Sequence, residues 1–232
     1  MRPIVPDVAE TSSATAVRID LHLHSSASFD CNVPPLDVAR RCRELGLSPI
    51  FLTDHDVIDG ARSLLDAGQQ VIIGQEILTS EGELIGLFLK AAVPSRLSPE
   101  ETVAAVKEQG GIVYLEHPYD TTRRNLREEA IERIASSIDI VEVVNGRSDP
   151  PFSRQADELR LTLGVPAGAG SDAHTLPEIG KVYVEMPAFD GAQDFVRKMH
   201  HGRIVTNKRS WVMAARRLFR SATSQGRVGS DK

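Results

Sequence analysis

Cysteine is scarce in this chain of 232 residues: only Cys31 and Cys42 occur. That excludes a secreted scaffold stapled by disulfides, and a structural zinc site built from cysteine alone. Also missing is any apolar run near the ~18 residues needed to cross a membrane. The opening MRPIVPDVAETSSATA has no apolar core segment, so no secretory signal is read there and the cytoplasm is the expected compartment. No internal repeat occurs, no low-complexity linker interrupts the body, and the serine-hydrolase elbow G-x-S-x-G is absent. Excess positive charge is lacking too. A net charge of -5 gives no reason to expect a surface that coats nucleic acid. A small phosphorylated substrate remains compatible, because a pocket can be cationic on an acidic protein.

The composition that is present, 41% apolar and 25% charged, is that of one globular domain. We place that domain at residues 17–212. A small, polar N-terminal tail (1–16) precedes it, and a basic helix end and flexible tail (213–232) follow. Short Val- and Ile-rich runs read as buried strands: VRIDLHL, SPIFLTD, QQVIIGQEI, ELIGLFL, GGIVYLEH, IDIVEVVN, VPAGAGSD and KVYVEM. Helical spacing fills most of the intervals. PLDVARRCRELG lines up Leu36, Ala39, Cys42 and Leu45 and stops at Gly46. SPEETVAAVKEQGG opens with a capping box, Ser98 with Glu101. Further helices are expected around Leu126 to Ala135, in SRQADELRLTLG and in FDGAQDFVRKMHHG, with WVMAARRLFR a short basic helix near the end. Alternating strand and helix mean an α/β fold, and a barrel is favoured by where the histidines fall.

Five of the seven histidines, His22, His24, His55, His117 and His174, sit at or just past the end of an expected strand, the rim where a β/α barrel builds its active site. His22 and His24 are two apart on a strand, so both rings point one way and make a pair of metal ligands. The alternative is a pair of buried, hydrogen-bonded rings, which is costly without a use. Asp20 shares their face and could orient a ligand, and Asp30 follows within reach. In Thr53-Asp54-His55-Asp56, His55 is the ligand candidate, with Asp56 read as a helix cap. Glu76 is a carboxylate in an apolar strand, which calls for a cation or an arginine partner. Glu116, next to His117, is expected to point away from it. Asp172 and His174 repeat the two-residue spacing. Five imidazoles with these acids suit Zn, Mn or Fe(II) better than Mg or Ca.

Other patterns carry less. GAGSDA (168–173) matches a dinucleotide fingerprint in letters only, since it comes late and no long helix follows. His200 and His201 read as a solvated helix end. Ser25, Ser26 and Ser171 are hydrogen-bond donors near the cluster rather than nucleophiles.

The ordered set His-x-His, Asp, Thr-Asp-His, Gly-x-Glu, His-Pro and Ser-Asp-x-His resembles the PHP (polymerase and histidinol phosphatase) family of metal-dependent phosphoesterases. The resemblance spans roughly residues 18 to 186. It implies a stand-alone PHP domain, a distorted (β/α)7 TIM-like barrel with two or three metal ions at its C-terminal rim. Carried over, it implies His22, His24, Glu76 and Asp172 around one ion and Asp30, His55 and His174 around a second. Glu76 and His117 would serve a third. Where many relatives carry a further histidine after the Glu motif, this chain has Gly82-Glu83-Leu84-Ile85-Gly86, so either Glu83 substitutes or the third site is weak.

The activity implied is hydrolysis of phosphate esters by a metal-activated hydroxide. Asp172 and His174 are candidates for proton transfer as well as ligation. Arg147 is the first choice to grip the phosphate, beside Asn145 and Ser25, with Arg123 and Arg124 as alternatives. A small phosphorylated molecule is the expected partner, while a membrane, or nucleic acid beyond short nucleotides, is not. The competing readings are an amidohydrolase-type barrel cleaving C–N bonds, with Lys90 as its bridging lysine, and a metal-binding module without catalysis.

Overall fold

The computed structural model describes residues 16–207, so the expected tails, apart from Ala16, and the WVMAARRLFR helix lie outside the described residues. A six-stranded sheet runs in the order β2 (Ile50–Leu52), β3 (Val71–Thr79), β4 (Gly82–Leu87), β5 (Ile112–Leu115), β6 (Ile140–Asn145) and β7 (Ala167–Gly170). A second sheet joins β1 (Ala16–Ile19), β8 (Val182–Pro187) and β9 (Arg203–Thr206) in the order β1-β8-β9. The helices are α1 (Pro35–Leu45), α2 (Asp59–Asp66), α3 (Pro99–Glu108), α4 (Glu128–Ile134), α5 (Pro150–Leu163) and α6 (Gly191–Met199). Together they make the distorted TIM-like α/β barrel expected. None of the described helices is long and apolar enough to cross a membrane.

Strand alternation builds the layers. Along β5, Val113 and Leu115 pack outward with Val103 and Val106 of α3, and with Ala130 and Ile131 of α4. Ile112 and Tyr114 pack inward with Ile85, Ile140 and Ala169. Phe195 and Met199 of α6 join that inner cluster and close the end at which β5 and β6 begin. The opposite end, where those strands finish, is left for polar groups.

Several local expectations hold. Ser98 accepts from the Glu101 amide and Glu101 from the Ser98 amide, the capping box of α3. Gly46 ends α1 in the left-handed conformation (φ 69°), its amide reaching the carbonyls of Arg43 and Cys42. The buried stripe of α1 is Val38, Ala39 and Cys42, however, and Leu36 is exposed.

Two strands, β4 and β8, run against their neighbours. Only Ser80 and Glu81 separate β3 from β4, too few for a crossover, so these strands pair antiparallel, as do β4 and β5. KVYVEM pairs antiparallel with both β1 and β9. The strand β9 itself, four residues after a glycine, was not anticipated. VRIDLHL is not one strand either, because β1 stops at Ile19. The chain from Asp20 to His24 then leaves β8 and runs between β7 and β2, closing the barrel. The Leu21 amide donates to Ala169 (3.3 Å) and the Asp172 amide to His22 (2.9 Å). On the other side the Thr53 amide donates to Leu23 (2.9 Å).

Candidate metal centre

The closing segment places His22 and His24 on one side with ring centroids 5.1 Å apart, as their spacing implied. Gly170 makes this possible: a Cβ there would lie 2.2 Å from the Cβ of His22. Gly168 likewise leaves room for the ring of Tyr114, 2.5 Å from where its Cβ would be. The GAGSDA run is therefore glycine-rich for close approach of chains, not for a dinucleotide.

Glu76 is the centre. Its Oε2 lies 3.2 Å from Nε2 of His22, 3.2 Å from Nε2 of His24 and 3.3 Å from Nδ1 of His55. Its Oε1 lies 3.3 Å from Nε2 of His117. Asp172 Oδ1 is 3.5 Å from both His24 Nε2 and His174 Nδ1. Asp30 Oδ2 is 2.9 Å from His174 Nε2 and 3.4 Å from His55 Nε2. Glu83 Oε1 is further out, 3.7 Å from His55 Nδ1. All nine expected ligand candidates thus fall in one cluster. Their donor atoms form overlapping groups compact enough to hold a cation, among them His24, Asp30, His55 and His174, or His22, His24 and Glu76.

Three arginines stand around it. Arg147 reaches Nδ1 of His174 at 2.7 Å and Asp172 Oδ1 at 3.6 Å. Arg123 is 3.1 Å from Asp172 Oδ2, and Arg124 is 3.8 Å from Glu83. Asn145 has both ends of its amide engaged, donating to Glu142 (3.0 Å) and accepting from the Arg147 amide (2.8 Å), so it shapes the loop that carries Arg147. Ser25 is fully buried, and its hydroxyl donates to Asp54 (2.8 Å). Lys90 is exposed.

Supporting residues differ from expectation in instructive ways. Asp56 caps no helix; its φ of 57° turns the carboxylate back to accept from the Leu78 amide. Asp20 accepts from the Ser171, Gly180 and His22 amides rather than from a ring, tying the closing segment to the loop after β7. Ser28, which no sequence signal marks, joins His24 Nδ1 (3.2 Å) to Asp54 (3.0 Å).

Glu142 is the main residue that sequence reasoning overlooked. Buried in β6, it meets His22 Nδ1 at 3.3 Å and accepts from the Tyr114 hydroxyl (2.9 Å) and the His117 amide (2.8 Å). The signal was available, a lone acid in the apolar run IDIVEVVN, the same signal that marked Glu76. A bulge between Glu142 and Val144 then lets Asn145, three residues on, share its side of the strand. Glu116 was expected to point away from His117. It lies instead within the same compact group as Glu76 and His117, because φ of 29° at His117 breaks the alternation of the strand.

Charge is finely opposed inside this pocket. Burial works against an ionised Glu76, yet His22 and the hydrogen bonds from His117, His22 and His24 hold its carboxyl well below the usual range. Burial likewise opposes charge on His24, but Asp172 and Glu76 outweigh it and push its pKa up to about 9. Burial, reinforced by Glu76, pushes Glu83 up to about 7 and Glu116 well above a normal carboxyl. Some buried donor atoms are left over: His117 Nδ1 and both oxygens of Glu116 have no hydrogen-bond partner among the described residues. Polar atoms out of water rarely go unpaired. This donor set, imidazole and carboxylate with unsatisfied atoms turned together, fits divalent cations.

Known proteins place the chain in context. A family model described as PHP domain matches residues 20–139, and one described as PHP-associated matches 150–204. An uncharacterized protein of Methanocaldococcus jannaschii is 34% identical over 143 residues, covering 56% of this chain and 82% of its own. In fold the chain is similar to a two-domain protein of Bacteroides vulgatus containing a predicted PHP-like metal-dependent phosphoesterase (TM-score 0.65, 20% identity, 83% of this chain). It spans 65% of that protein's length. It is also similar to endonuclease Q, solved with a 27-mer duplex bearing an abasic lesion at the active site (TM-score 0.60, 14% identity, 80% of this chain and 56% of that one).

Proposed function

Because the chain belongs to the PHP family, we propose that it is a metal-dependent hydrolase of small phosphate esters, using two or three ions of Zn, Mn or Fe. One observation carries the reading: four imidazoles stand within 3.3 Å of the single carboxylate of Glu76, with arginines at the rim.

In this reading His22, His24, Glu76 and Asp172 hold one ion and Asp30, His55 and His174 a second. Bound there, divalent ions lower the pKa of water toward neutrality and offset charge on the phosphoryl oxygens. The chain's own groups do the rest. Arg147 and Arg123, both partly exposed beside Asp172, bind the phosphate. His174 accepts from Arg147 at Nδ1, which orients its ring as a ligand and leaves solvent water to protonate the departing alcohol. Glu142, Tyr114 and Asn145 keep His22 and His117 oriented, and the burial of that side excludes water. The exposed Lys90 gives an amidohydrolase bridge no support.

The test is metal content by elemental analysis, on protein purified without added metal or chelator, beside p-nitrophenol release from p-nitrophenyl phosphate and its bis-ester. Two to three equivalents of metal and hydrolysis abolished by chelation are expected. Failure to take up Zn, Mn or Fe would sink the proposal. Metal without hydrolysis of any ester would leave a binding module.

A further inference from the structure

Glu116 has no task in the reaction just described, yet its position is the most demanding in the cluster. Its side chain is fully buried, and neither carboxylate oxygen has a hydrogen-bond partner. His117 beside it leaves Nδ1 unpartnered as well. One oxygen of Glu116, one of Glu76 and one ring nitrogen of His117 lie within 4.8 Å of one another. A carboxylate taken out of water and left unpaired is strongly unfavourable. Protonation would remove the charge but leave an O–H without an acceptor. A cation satisfies all three side chains at once.

The donors here differ in kind from those on the open side. Glu76, Glu116 and His117 offer two carboxylates and one imidazole, all buried. His24, Asp30, His55 and His174 offer three imidazoles and one carboxylate, partly open to solvent. Glu83, the sequence candidate for completing a third position, groups instead with His55 and Glu76. Oxygen donors favour harder ions such as Mn²⁺, and imidazole favours Zn²⁺.

We propose that Glu116 is a metal ligand, and that beside the ion at His22, His24, Glu76 and Asp172 the cluster contains two chemically different cation positions: a buried, carboxylate-rich one at Glu76, Glu116 and His117, and an imidazole-rich one at Asp30, His55 and His174, with His24 at its edge. The first discriminates far less in favour of Zn²⁺. The proposal rests on the reading that the cluster holds cations.

The test loads the full chain with Mn²⁺ and titrates it with Zn²⁺, following released Mn²⁺ by electron paramagnetic resonance and metal per chain by elemental analysis. Displacement should occur in two phases, the second needing at least about tenfold more Zn²⁺. Glu116→Gln should abolish the second phase and lower Mn²⁺ by about one equivalent, with the first phase intact. His174→Ala should weaken the first phase only. Circular dichroism and melting show whether each variant folds. Should Glu116→Gln not fold, the wild-type titration still decides. Displacement in one phase, or a folded Glu116→Gln protein with undiminished Mn²⁺, would overturn the proposal. Wild-type protein that takes up no metal overturns the proposed function with it. Chelator-sensitive hydrolysis together with a single phase overturns this proposal alone.

Discussion

The inner and outer halves of the cluster use the same kinds of side chain and hold them differently. Inside, the side chains of His22 and His117 are 0% and 3% exposed. Outside, His55 and His174 are each 12% exposed and Asp30 is 34%. The inner rings are fixed by partners from the strands, with Glu142 holding His22 Nδ1 and the His117 amide. The outer rings lean on each other, on Arg147 and on Phe29, an exposed ring 5.0 Å from His55. The difference separates two jobs. The inner half is set by folding and shielded from water, and on the proposed function the outer half is where ions and substrate would enter.

Glu76 touches both halves, so its loss should erase the distinction. Glu76→Gln is expected to strip metal from both and reduce turnover to background, a loss of several kcal/mol of transition-state stabilisation; elemental analysis and phosphate release measure it. Retained metal with normal turnover would remove Glu76 from the centre.

Glu142→Gln attacks the inner half alone. A metal affinity or activity lower by roughly 10–100-fold is expected, as for other groups that orient a ligating histidine. Titration with a metal-sensitive dye reads it. An unchanged affinity would mean that burial by itself fixes His22.

Arg147→Ala attacks the outer half alone. Loss of a charge-assisted contact to phosphate should cost about 1.5–3 kcal/mol in kcat/KM while metal content stays the same. Arg147→Lys should recover only part of that, because an ammonium cannot match the forked donors of the guanidinium. Equal losses of metal and activity would show Arg147 bracing the ligands instead.

The smallest effect concerns the metal-free protein. The pKa of His24 is raised from 6.5 to about 9, where burial is outweighed by Asp172 and Glu76, and that of His22 is raised too. Stability from a raised histidine is fully present below its unfolded pKa and is lost as pH rises through the folded one. The melting temperature of metal-free protein should therefore fall between pH 6.5 and about 9. Bound Zn²⁺ should abolish the fall, since the ion replaces the protons. A flat profile without metal would show that the rings are neutral there.

Legibility in the sequence followed the reach of local geometry. The His22–His24 pair, the Asp172–His174 pair and Glu76 could be read because each rests on spacing of one or two residues or on one acid in an apolar run. Glu142 carried that signal also and was passed over because no histidine stood beside it. Glu116 could not be read: its direction depends on a positive φ at His117 that no letter announces. The antiparallel β3–β4 pair was not read, because the expected strands stop at Ile77 and restart at Glu83 and only the structure extends them to a two-residue loop; the pairing of β1 with β8 needed the whole chain.

The sequence alone settled the α/β class, the family and the kinds of donor gathered at the strand ends, because hydrophobic periodicity and short spacings are local properties. Only the tertiary structure decided which donors face one another. The closing run of Asp20–His24 between β7 and β2, the bulge at Glu142 and the turn at His117 are each set by contacts between residues far apart in the chain. Burial, which divides one histidine-rich cluster into a sealed half and an open half, exists only once those contacts are made.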